Sequence, residues 1–74
     1  MQDFAINVTE IEELQMTGNV HELDRIFLKA RSVVIGGGTV ALVRKPAHGK
    51  AFRFDEISTE DGLETYKKQV YKYL

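Results

Sequence analysis

The chain has 74 residues, no cysteine and a formal net charge of −1. A chain this short buries roughly 60% of its unfolded surface and has room for one core, which excludes a two-domain enzyme; the missing thiols exclude disulfide scaffolds and thiolate metal sites. Hydrophobic residues make up 43% and charged residues 28%, so one small globular domain spanning 1–74 is expected.

In chain order, Phe4, Ile6 and Val8 alternate, and residues 3–8 admit an extra N-terminal strand. Asn7-Val8-Thr9-Glu10-Ile11-Glu12 opens a helix. Thr9 with Glu12 fits a capping box, and Asn7 with Glu10 is the alternative, with Ile6 and Ile11 as a staple. The helix ends near Met16, where Thr17-Gly18-Asn19 interrupts it and Gly18 suits a left-handed position. Asn19 caps a second helix whose stripe is Val20, Leu23, Ile26, Phe27, Ala30, Val33 and Val34. Lys29 and Arg31 fall toward its end, where the helix dipole favours cations. Gly18–Ala30 resembles the second helix of an ankyrin repeat. The Thr-Pro-Leu-His opening of that family is missing and there is a single unit, so the segment reads as a generic helix hairpin and no family is assigned.

Gly36-Gly37-Gly38 ends the second helix. Thr39–Arg44 reads as a strand, Pro46-Ala47-His48-Gly49 as a turn and Lys50–Ile57 as the partner strand. Two registers compete. A four-residue loop puts Ala41 and Val43 beside Phe52 and Phe54. A bulge puts Val40 and Leu42 there instead, and is preferred because it gathers the larger side chains. Phe52 and Phe54 are then expected in the core, with Phe54→Ala costing about 3–5 kcal/mol. Ser58 or Thr59 caps a last helix with the stripe Leu63, Tyr66, Val70 and Tyr73 or Leu74, leaving Tyr71 pointing elsewhere. The expected fold is therefore α+β, a helix-helix-hairpin-helix order.

Few residue patterns suggest chemistry. Glycines that cradle phosphate follow a strand and precede a helix, whereas Gly36-Gly37-Gly38 follows a helix, so a helix cap is the reading here. His21 and His48 stand far apart with no ligand spacing around either, so no metal site is expected. Ser58 is explained as a cap, and Ser32 has no histidine or acid at a telling spacing. No catalytic residue and no cofactor are expected, and the chain is read as no enzyme. No apolar run approaches a membrane span, and Met1-Gln2-Asp3-Phe4 shows no leader, which makes no membrane contact and a cytoplasmic location the expectations.

The charge distribution is more informative. Residues 1–30 sum to −4, residues 31–53 to +5 with no acid, and residues 54–74 to −2. Four cations of the basic block, Arg44, Lys45, Lys50 and Arg53, fall on one hairpin and form the candidate interaction surface. The expected function is a protein-interaction module with an acidic partner. Nucleic-acid binding through the hairpin is the second reading; a pI of 6.1 and buried phenylalanines count against it. Self-association, with the hairpin of one copy on Glu10, Glu12 and Glu13 of another, is the third.

Overall fold

The computed structural model describes residues 3–46 and 48–74. Ala47, expected in the hairpin turn, lies outside the described residues. Six elements follow one another: β1 (Phe4–Asn7), α1 (Val8–Thr17), α2 (Val20–Ile35), β2 (Val40–Arg44), β3 (Phe52–Ile57) and α3 (Glu60–Tyr71). The fold is α+β, and the N-terminal strand is present. It lies parallel to β2, with Phe4 beside Val40 and Ile6 beside Leu42, while β3 runs antiparallel to β2. The sheet order is β1-β2-β3, so β1 and β3 are its edges. A parallel neighbour needs a long crossover, and α1 with α2 provides it.

The helix ends follow local chemistry. Asn7, rather than Thr9, caps α1: its side chain accepts from the Thr9 N–H at 3.0 Å. Asn7 is also the last residue of β1, so the extended conformation of a cap continues the strand. Gly18 turns left-handed at φ 65°, and the Asn19 N–H donates to the Leu14 carbonyl, closing α1 in a Schellman turn. Asn19 caps α2 through the Glu22 N–H. The same closing motif recurs at the glycine triplet, where Gly37 takes φ 86° and the Gly38 N–H donates to Val33 at 2.8 Å. The triplet is thus a helix terminator. Because α2 runs on to Ile35, Lys29 and Arg31 lie short of its last turn, which holds no cation. Thr59 caps α3, accepting from the Gly62 N–H.

All three helices contribute to one core with one face of the sheet. Ile6, Val40, Leu42 and Ile57 point up from the strands, and Ile11, Leu23, Phe27, Ala30, Val33, Val34, Leu63 and Val70 come down from the helices. Leu23 and Ala30 are fully buried, and the methyl-sized Ala30 lets α2 lie close over its neighbours. Lys29 closes the rim, its ammonium 5.8 Å from the Phe4 ring centroid. Among the described residues no layer covers the opposite face of the sheet: Ala5 is exposed, Ala41 and Val43 are half-buried, and Arg53 and Glu56 flank them.

Two aromatic expectations are corrected. Tyr73 lies beyond the end of α3 and is 73% exposed, because the helical period stops at Tyr71. Tyr71 instead packs on Phe27, ring centroids 5.8 Å apart. Phe52 and Phe54 are 51% and 50% exposed, outside the core. A face rich in large apolar groups is expected to be covered. The three helices reach Val40, Leu42 and Ile57 but leave the far half of β3 open.

Candidate interaction surface on the hairpin

The hairpin is shaped by a bulge. Val40, Ala41 and Leu42 oppose Ile57, Glu56 and Asp55. The register then shifts between Leu42 and Val43, so that Val43 opposes Arg53 and Arg44 opposes Phe52, leaving Phe54 as the extra residue. Phe52 is on the helix side, in phase with Leu42 and Arg44. The ring of Phe54 meets that of Phe52 edge-on at 6.5 Å, which puts Phe54 on the same side. The preferred register is therefore the one found, with Val40, Leu42, Phe52 and Phe54 on one side of the sheet.

The four candidate cations share the hairpin but not one environment. Arg44 donates to Glu12 of α1 at 2.8 Å, and Arg53 pairs with Glu56 on its own strand. Lys45 and Lys50 lie in the connection, exposed, and neither forms an ion pair among the described residues. Among the described residues the hairpin therefore presents two unpaired cations rather than four. The acid that meets Arg44 comes from 32 positions away. No local spacing signals it; only the placement of α1 over β2 brings the two together.

Tyr66 stands behind this pair. Its hydroxyl is buried and has no hydrogen-bond partner among the described residues. Burial raises its pKa first, the Glu12 carboxylate raises it further, and Arg44 opposes both. Asp55 has a separate job: its carboxylate accepts the Glu56 backbone N–H at 2.8 Å, so that N–H is not spent on β2.

The remaining surface is less organised. An open groove of about 460 Å³ runs between α2 and α3 over Phe27 and Leu63, with Asp24, Arg31 and Lys67 on its rim. His21 and His48 are both exposed, as are Ser32 and Ser58. No group of three or more histidine, aspartate or glutamate side chains among the described residues is placed to hold a metal ion. Among the described residues no helix is long and apolar enough to cross a membrane. No protein-family model, no curated protein and no solved structure matches the chain.

Proposed function

We propose that the chain is a protein-interaction module whose contact surface is the β2–β3 hairpin, with Phe52 and Phe54 as the apolar anchor and Lys45 and Lys50 as cationic flanks. The observation that carries this reading is the exposed aromatic pair. Two touching phenylalanine rings, each half open to solvent in a domain with few large side chains to spare, are a costly surface to leave wet. Aromatic anchors ringed by polar groups are the usual centre of a protein contact. The unpaired lysines favour an acidic partner and steer its approach.

Nucleic-acid binding gains one argument from the same rings, since an exposed aromatic beside lysines is a stacking platform. It loses another, because Arg44 and Arg53 already hold carboxylates and Asp55 and Glu56 lie on the same strand.

The test is affinity capture from cell extract by the wild-type chain, by Phe52→Ser with Phe54→Ser, and by Lys45→Glu with Lys50→Glu, each variant shown to be folded by circular dichroism. Proteins retained by the wild type and lost by both double variants support the reading, and equal retention by all three refutes it. In parallel, fluorescence anisotropy with single-stranded oligonucleotides at about 50 mM salt should show no saturable binding. Micromolar binding there that weakens with salt would favour the nucleic-acid reading.

A further inference from the structure

We infer that the open edge of β3 is built to pair with the β3 edge of a second copy of this chain, across a two-fold axis between Phe54 and Asp55. This rests on the hairpin being the contact surface and names one partner for it.

The bulge sets which face each β3 side chain takes. In a regular strand, residues three apart point to opposite faces. Arg53 opposes Val43 and Glu56 opposes Ala41, so both lie on the outer face although they are three apart, and their ion pair within the strand reflects this. Phe52, Asp55 and Ile57 oppose Arg44, Leu42 and Val40 on the helix side, where Phe54 joins them. Read from Phe52 to Ile57, the side chains run helix side, outer, helix side, helix side, outer, helix side. The pattern is the same in both directions.

Antiparallel partners directly opposite each other share a face. A strand with this pattern can therefore oppose its own copy with Phe52 facing Ile57, Arg53 facing Glu56 and Phe54 facing Asp55. Each face then matches. An unbulged strand could not adopt this register, because Arg53 and Glu56 would lie on opposite faces. The charges match as well: Arg53 of each copy meets Glu56 of the other, twice per dimer. On the helix side Phe54 of each copy lies next to the axis, beside Asp55 of the other, and Phe52 covers Ile57 at each end of the paired segment, which covers surface that each copy alone leaves open. The Glu56 N–H faces away from β2, and in the single chain the Asp55 carboxylate occupies it. Asp55 thus blunts the edge and is displaced when a second edge arrives.

A six-residue edge is smaller than the roughly 1,200 Å² of standard complexes, so the dimer is expected to be weak, with a dissociation constant between about 10 μM and 1 mM. Lys45 and Lys50 lie outside the paired residues, and their charge reversal should leave the dimer unchanged.

Sedimentation velocity on the whole chain tests this. The wild type should pass from monomer to dimer with rising concentration. Arg53→Glu and Glu56→Arg should each weaken the dimer about tenfold or more, since two attractive pairs become two repulsive ones. The double variant R53E with E56R restores both pairs and should return the wild-type constant within about threefold. Circular dichroism of each variant separates lost pairing from lost fold, and the double variant keeps the test open should a single one unfold. A wild type that stays monomeric to about 1 mM overturns the inference, as does a dimer indifferent to R53E or one that the double variant fails to recover. If the chain is monomeric while Phe52 and Phe54 still govern capture of another protein, the inference fails and the interaction reading stands.

Discussion

Truncating two phenylalanines one at a time separates the observed core from the one alternation suggests. Phe27 is 3% exposed and sits between Tyr66 and Tyr71, ring centroids 5.7 and 5.8 Å away. Phe27→Ala removes a buried ring, leaves a void between α2 and α3, and breaks both aromatic contacts. Buried phenylalanine truncations cost about 3–5 kcal/mol, and two lost ring pairs place this one toward the upper end. At about 0.05–0.15 kcal/mol per residue the whole domain has about 4–11 kcal/mol, so the variant loses between about half of that stability and all of it. Phe54 is half exposed, and about half the value of a fully buried phenylalanine puts Phe54→Ala near 1 kcal/mol. Urea unfolding followed by far-ultraviolet circular dichroism at micromolar concentration should show a midpoint lowered by about half or more for Phe27→Ala. Phe54→Ala should show a modest shift with an unchanged slope. Equal losses at the two positions would refute the placement of the core under α2.

Two further outcomes follow from the tyrosines. The Tyr66 hydroxyl is buried without a partner among the described residues, so Tyr66→Phe should be neutral or stabilising by up to about 2 kcal/mol, and a loss of that size in urea unfolding would mean the hydroxyl is satisfied. The Tyr71 pKa is raised well above the phenol range by burial, by its hydrogen bond to Asp24 and by the Asp24 charge. Its folded value exceeds the unfolded one of about 10, so its contribution is whole below that pH and is lost as pH rises toward the folded value. Thermal unfolding above that pH should therefore show a shallower loss for Tyr71→Phe than for the wild type, and identical slopes would dispose of the assignment.

Local chemistry was legible wherever it is self-contained. Gly18, Asn19 and Thr59 place helix ends because each satisfies backbone groups within a few residues, and such bonds do not depend on the rest of the fold. Of the two registers that alternation left open, the structure holds the bulged one. The hairpin strands, expected over Thr39–Arg44 and Lys50–Ile57 and found over Val40–Arg44 and Phe52–Ile57, and the α2 stripe were readable too, since period 2 and period 3.6 say which side chains share a face. They do not say whether that face is covered. Phe27 and Phe54 carry the same ring, and only the lie of α2 and α3 buries one and leaves the other wet. Likewise nothing near Tyr71 or Tyr73 shows that α3 ends between them, so the stripe was carried one residue too far. Sequence places four cations on one hairpin, but it does not show which of them meet a carboxylate. Glu12 meets Arg44 through the α1 crossover, and Glu56 meets Arg53 because the bulge turns both outward. The opening facts of length, composition and missing cysteine limited the chain to one small core. Tertiary structure decided which residues that core leaves over, because three short helices cannot cover every apolar side chain of the sheet beneath them.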